Sequence, residues 1–187
     1  SSNAIDDRYV RLAAQLGSAL AAADLALVSG GGSVSMMGAV ARAVRAGGGH
    51  TIGVIPQALV DMEVADLDAD ELVITIDMRT RKAEMDRRAD AFITLPGGIG
   101  TLEELMEVLT ALTHCMHAKP VIVLDPWDDY AQLHMLIDHL VATGFVRASA
   151  AAAIHWVKSI EQALTLVDLH LETPDAPPPT ETLESAG

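Results

Sequence analysis

Two glycine-rich stretches of the chain have the composition of anion-binding turns. They are SGGGSVSMMG at residues 29–38 and PGGIGT at residues 96–101. Each follows a short apolar run and precedes a sequence with helical spacing. Such a turn directs free backbone N–H groups and the positive end of a helix dipole towards one point, which suits a phosphate or a carboxylate. Neither stretch is a dinucleotide fingerprint or a P-loop, because Ser35 replaces the last glycine of G-x-G-x-x-G and the second stretch lacks the Lys-Ser/Thr ending.

Charged residues lie close to both turns in the sequence. Within ten residues the chain has five cations: Arg79, Arg81, Lys82, Arg87 and Arg88. Glu103 and Glu104 follow the second turn, and a carboxylate beside an anion site is suited to acid–base work. Two structural alternatives stay open. The cations form the solvated face of an amphipathic helix, or Thr101 and Glu104 form a T-x-x-E capping box worth about 1 kcal/mol.

A metal site is not predicted. His114 and His117 flank Cys115, but no second group of ligands has a metal-binding spacing. We expect Cys115 to be a packed thiol and the protein to need no cofactor. As the only cysteine it cannot form an internal disulfide, which fits a reducing compartment and predicts a cytoplasmic protein.

The elements that position these residues alternate along the chain. Short apolar runs (LALVSG, HTIGVIP, ELVITI, AFITL, PVIVLD and IHWV) are separated by sequences with helical periodicity. This alternation predicts an α/β fold, a Rossmann-like doubly wound parallel sheet with helices on both faces. Ligands of such sheets bind beyond the carboxyl ends of the strands. Both glycine turns are predicted to lie there.

The length of 187 residues predicts a single domain, over residues 1–171. Residues 172–187 hold four of the eight prolines without apolar periodicity, so we expect a disordered acidic tail. The chain opens with SSNA and enters a helix at once, whereas a doubly wound domain normally starts on a strand. SSNA is therefore either an expression remnant or the end of a loop after a first strand that is absent from this sequence.

The net charge of −14 argues against nucleic acid as a partner, because its binding requires clustered Lys and Arg. No apolar run is long enough for a membrane span, so we expect no membrane partner. An anionic small molecule must then be held locally, against the overall charge.

Five segments, in this order, resemble the LONELY GUY family: SGGGSVSMMGAV, IPQALVDMEVAD, DMRTRKAEM, ADAFITLPGGIGTLEEL and KPVIVLD. The resemblance extends from about Arg8 to Asp168. The paired motifs R-K and P-G-G-x-G-T-x-E-E are specific to that family and its near relatives. Members were often labelled "possible lysine decarboxylase", an activity that no feature of this sequence supports.

The resemblance implies a Rossmann-like homodimer that acts in cytokinin biosynthesis. Such an enzyme hydrolyses the N-glycosidic bond of N6-modified AMP to free base and ribose 5-phosphate. It also implies that Arg81 and Glu104 are the catalytic pair. The implied substrate contacts are Gly31, Gly32, Ser33, Glu63, Lys82, Gly97, Gly98, Ile99, Gly100, Thr101, Leu102, Glu103 and Thr110.

One segment departs from the family pattern. Many members carry the sequence WTW after the P-G-G helix, where this chain has LTALTHCMHAKP at residues 109–120. The departure leaves the N6 substituent open. The alternatives are an AMP nucleosidase-like activity and a non-catalytic nucleotide or cofactor carrier.

Overall fold

The computed structural model describes residues 5–62 and 64–173. They form an α/β fold, in which two three-stranded parallel sheets are flanked by helices. The chain divides into two compact units, Ser1–Ala89 (unit 1) and Asp90–Gly187 (unit 2). Each unit is described by itself.

Unit 1 contains a parallel sheet of order β1-β2-β3. Its elements are α1 (Asp7–Ala22), β1 (Leu27–Ser29), α2 (Ser35–Ala46), β2 (Thr51–Pro56), α3 (Gln57–Val60), β3 (Glu71–Thr75) and α4 (Met78–Arg88). The register aligns Val28 with Ile52, and Val54 with Val73. β2 is the central strand and Val54 is fully buried, as expected for a strand covered on both faces.

Unit 2 repeats this plan with the order β4-β5-β6. Its elements are β4 (Phe92–Thr94), α5 (Ile99–Thr113), β5 (Val121–Leu124), α6 (Ala131–Ala142), α7 (Ala148–Ala152), β6 (Ile154–Val157) and α8 (Ile160–Glu172). The four residues of β5 are fully buried. A capping box of Ser159 and Gln162 starts α8. The two loops that follow β1 and β4 are the predicted glycine turns.

The predicted α/β class, six strands and long helices are confirmed. Two short helices, α3 and α7, were not predicted, because four or five residues do not show helical periodicity. Residues 1–4 and most of the predicted tail lie outside the described residues, and the single domain remains a prediction. Within the described part of the chain, no helix has the length and apolar character needed to cross a membrane.

Candidate active site

The P-G-G turn, which we define as residues 95–101, joins β4 to α5 in unit 2. Pro96 is buried, whereas residues 97–100 are exposed. Helix α5 begins at Ile99, and its N-cap Gly98 has no side chain that can accept a hydrogen bond from the first turn. The first N–H groups of a helix lack intrahelical partners and attract anions. The turn therefore has the local structure expected of a phosphate site.

The capping-box interpretation of Thr101 and Glu104 is wrong. Thr101 is the third residue of α5, so its backbone is already helical, whereas an N-cap residue lies outside the helix. The Thr101 side chain instead packs against Gly97. A Cβ at Gly97 would lie 2.7 Å from the Thr101 Cβ, so only glycine fits at this position.

Gly98 and Gly100 are glycines for a different reason than Gly97. Apart from the adjoining residues and the backbone of the helix itself, no atom of the described residues lies within 4 Å of a Cβ placed at either position. Gly98 has a φ of −90°, which any residue adopts. Neither packing nor backbone conformation therefore requires glycine here, while a ligand that approaches the bare backbone would require it.

The two adjacent glutamates of α5 differ in burial from the core residue that follows them. Leu105 is only 1% exposed and belongs to the core of unit 2. Glu103 is exposed and Glu104 is half-buried. Glu104 is therefore the more enclosed of the two adjacent carboxylates, which suits a group that meets a reacting centre.

The other predicted contacts on α5 differ in what they offer a ligand. The Ile99 side chain is 82% exposed. Leu102 packs against the core, so a contact from it would come from its backbone. Thr110 is exposed, and its hydroxyl donates to the Met106 carbonyl oxygen at 2.6 Å. Its oxygen can still accept a hydrogen bond from a ligand.

Arg81, on α4 of unit 1, is a buried cation with 5% exposure. Its Nε donates to the Val54 carbonyl oxygen at 3.0 Å. Its guanidinium packs so closely against Gly30 that a Cβ at this position would collide with Nη2. The structure therefore brings Arg81 to the first glycine turn. Sequence reasoning did not assign this role to Gly30.

The five cations of residues 79–88 include both buried and surface side chains. Arg87 donates to Glu84, and Arg88 pairs with both Glu84 and Glu71. These contacts lower the pKa of Glu84 from 4.5 to about 2, with the Arg87 hydrogen bond as the largest cause. The solvated-face interpretation thus fits Arg87, but it does not fit Arg81. Lys82 is half-buried.

In the first glycine turn, residues 30–33, three N–H groups that were expected to be free have partners, so the expectation is wrong for these three groups. The Gly31 N–H donates to the Ser29 Oγ at 3.4 Å, and the Gly32 N–H to the Met37 Sδ at 3.0 Å. The Ser33 N–H donates to the Val64 carbonyl oxygen at 2.9 Å. The three groups therefore have partners within unit 1.

Residues 64–66 hold the first glycine turn in place. The Asp66 N–H donates to the Gly31 carbonyl oxygen at 2.7 Å, and Gly32 forms an antiparallel bridge with Ala65. The buried Asp66 carboxylate accepts two hydrogen bonds from Arg45, at 2.9 and 3.2 Å. The predicted contact Glu63 lies outside the described residues.

His117, which follows α5, has a structural partner. His117 Nε2 lies 2.9 Å from the Val108 carbonyl oxygen. Cys115 is exposed, so the expectation of a packed thiol is wrong. Across residues 5–62 and 64–173, no group of three or more His, Cys, Asp or Glu residues could hold a metal ion.

Tyr130, the N-cap of α6, was missed by the sequence analysis. Its hydroxyl donates to the Leu95 carbonyl oxygen of the P-G-G turn at 3.0 Å. Burial raises the pKa of Tyr130 to about 12. The contact joins residues 35 positions apart. No local pattern in the sequence signals it.

Comparison with known proteins gives consistent matches over most of the chain. The profile of the family described as "possible lysine decarboxylase" matches residues 37–167. A Mycobacterium marinum protein named cytokinin riboside 5'-monophosphate phosphoribohydrolase is 50% identical over 155 residues, which cover 83% of each chain. The chain belongs to the LONELY GUY family. Proteins of the same name from Mycobacterium tuberculosis and Arabidopsis thaliana are 47% and 46% identical, over 83% and 82% of this chain and 83% and 71% of theirs.

Solved structures support the fold of this LONELY GUY family member. The molybdenum cofactor binding protein of Rippkaea orientalis matches with a TM-score of 0.68 and 22% identity, over 90% of this chain and 91% of the other. The Moco carrier protein of Chlamydomonas reinhardtii matches with a TM-score of 0.68 and 21% identity, over 91% and 92%. At this identity the likeness supports the Rossmann-like fold alone.

Proposed function

We propose that this protein hydrolyses the N-glycosidic bond of a cytokinin riboside 5'-monophosphate. The observation that carries the proposal is the 50% identity, over 83% of both chains, to a protein named for this activity. The buried Arg81 and the exposed glycine backbone of the P-G-G turn add chemical support. A cation and a bare helix N-terminus are suited to a phosphorylated ribose.

The reaction exchanges one bond at the anomeric carbon. The C1′–N9 bond breaks, and its electron pair leaves with the base. A water molecule then forms the C1′–O bond, and its released proton balances the charge on the departing base. The products are the free base and ribose 5-phosphate. The transition state has oxocarbenium-like character, as in other glycosidic hydrolyses, so it is stabilised by a nearby carboxylate.

We assign that carboxylate to Glu104, which also orients the attacking water. Arg81 positions the substrate through its ribose hydroxyls. In this assignment the P-G-G turn holds the 5′-phosphate, and Lys82 and Glu103 also contact the substrate. Gly31, Gly32, Ser33 and Glu63 are further proposed contacts. Binding energy at the unreactive phosphate then serves to orient the ribose.

We further propose that the protein is a cytoplasmic homodimer and needs no cofactor. The dimer and the contact set derive from the family resemblance. The cytoplasmic location derives from the single cysteine, Cys115. The proposed partners are small-molecule nucleotides, either AMP or N6-substituted AMP.

The test incubates the protein with AMP and with N6-isopentenyl-AMP and measures the released base by chromatography. We expect release from the modified nucleotide, and a loss of at least about 100-fold in turnover for Glu104→Ala. Glu107→Ala, an exposed glutamate on the same helix, is the matched control. Equal turnover of the wild-type protein and Glu104→Ala would contradict the assignment of Glu104.

The same assay separates the alternatives. Release of adenine from AMP, with little release from the modified nucleotide, would favour an AMP nucleosidase-like activity. The segment at residues 109–120, which departs from the family pattern, is the reason to include plain AMP. Stoichiometric nucleotide binding with no release of base from either substrate would favour a carrier.

A further inference from the structure

Tyr130 connects the loop after β5 to the P-G-G turn of unit 2. Its side chain is 6% exposed and belongs to the hydrophobic core together with Leu105 and Val121. Its hydroxyl donates to the Leu95 carbonyl oxygen of the turn at 3.0 Å. A buried ring with a single polar end fixes the position of its hydroxyl.

The backbone around Tyr130 is held as firmly as its ring. Asp125, which follows β5 and is 4% exposed, accepts hydrogen bonds from the N–H groups of Asp129 and Tyr130, at 2.9 and 3.0 Å. Lys158, which follows β6, donates to the Asp125 carbonyl oxygen at 2.8 Å. The ends of two strands therefore support the residue that contacts the turn.

The contact of Tyr130 falls on the side of the turn that faces the protein. Leu95 and Gly97 flank Pro96, while Gly98 and Gly100 present their backbone to open space. The hydrogen bond to the Leu95 carbonyl oxygen anchors the start of the turn and therefore the position of the residues that follow. Because the phenol stays protonated at neutral pH, it remains a donor to Leu95.

We propose that Tyr130 is a positioning residue, whose hydroxyl holds the P-G-G turn in the conformation that binds the substrate phosphate. This inference rests on the proposed function, because it assumes that the turn receives the 5′-phosphate. Tyr130 itself does not touch the ligand. It acts through the backbone of Leu95.

The test compares Tyr130→Phe with Tyr9→Phe. Both variants delete one phenolic oxygen, and Tyr9 lies on α1, outside the proposed machinery. The readouts are the KM and kcat for the nucleotide, the inhibition constant of ribose 5-phosphate, the KM for the nucleoside without phosphate, and the melting temperature. For Tyr130→Phe we expect the nucleotide KM and the ribose 5-phosphate inhibition constant to rise in parallel by about tenfold, as for the loss of one well-placed interaction. The nucleoside KM should stay within about twofold, as should all constants of Tyr9→Phe.

A merely structural role would lower the melting temperature of Tyr130→Phe and leave the two phosphate-dependent constants unchanged. That result would overturn the proposal, and so would an equal rise in the KM of nucleotide and nucleoside. If the wild-type protein releases no base, the proposed function fails separately. Direct calorimetric binding of ribose 5-phosphate to the wild-type protein and to both variants then decides the role of Tyr130. Equal binding by all three, or no binding to the wild-type protein, would reject it.

Discussion

At the residue scale, Arg81 differs from the other cations of α4 in its surroundings. It lies in the interior of unit 1, between the Val54 carbonyl oxygen and Gly30. Burying a guanidinium is costly unless its donors are used, so a buried arginine is normally retained for a specific task. The spacing of the cations did not distinguish Arg81 from its neighbours, and only the family resemblance singled it out. The distinction depends on a glycine 51 positions earlier.

We expect Arg81→Lys to retain the charge and lose most of the activity. Lysine lacks the Nε donor to Val54 and the planar fork that binds two acceptors at once. The expected fall in kcat is at least about tenfold, with a loss of about 1–3 kcal/mol in the free energy of unfolding from the deleted hydrogen bond. Steady-state kinetics and denaturant unfolding measure the two effects. Arg79→Lys, an exposed change on the same helix, should alter neither, and wild-type kinetics for Arg81→Lys would refute the role.

At the element scale, two neighbouring glycines of the P-G-G turn have different roles. Gly97 is needed for the fold, and Gly98 is needed for the proposed ligand binding. Gly97→Ala should destabilise the protein by about 1–3 kcal/mol, because the new methyl group collides with Thr101. Gly98→Ala should cost less than about 1 kcal/mol, as expected for a changed N-cap. It should nevertheless raise the nucleotide KM about tenfold, because the methyl group occupies the open space over the turn. Unfolding curves and kinetics for the pair check this, and an unchanged KM for Gly98→Ala would argue against phosphate binding there.

Helix α4 carries an acid-sensitive network around Glu84. The pKa of Glu84 is depressed in the folded protein, to about 2 from 4.5. The stabilisation is therefore fully present above the unfolded value and is lost as the pH falls through the folded one. We expect Glu84→Gln to lower the melting temperature at pH 7, and the difference from wild type to vanish between about pH 4.5 and pH 2. Thermal melts across that window test this, and 1 M salt should shrink the difference at pH 7. A pH-independent difference would refute it.

The sequence predicted the elements better than the contacts between them. β5 was evident because four consecutive apolar residues form a fully buried central strand. The capping-box alternative for Thr101 fails, because a T-x-x-E pattern resembles a cap while the helix already begins at Ile99. The N–H groups of the first glycine turn have partners as distant as Val64, and the hydroxyl of Tyr130 bonds to Leu95. Such contacts depend on the tertiary fold, which local patterns do not encode.

At the scale of the whole molecule, the family resemblance predicts a dimer. Light scattering coupled to size-exclusion chromatography should give a mass of about 39 kDa, twice the 19.7 kDa of one chain. The mass should be measured at several protein concentrations in the micromolar range, because the fraction of dimer depends on concentration. A constant mass near that of one chain would contradict the predicted homodimer.

The bridge between Gly32 and Ala65 has a consequence for how this protein can evolve. The segment between them leaves the glycine turn, passes through α2, β2 and α3, and returns to the same place, where the Arg45–Asp66 ion pair secures it. Insertions after Asp61 therefore lengthen a segment whose two ends are held together, which costs little entropy and leaves the first glycine turn unchanged. That part of the chain includes Glu63, a proposed substrate contact. Substrate preference can thus diversify there while the turn beside Arg81 keeps its geometry.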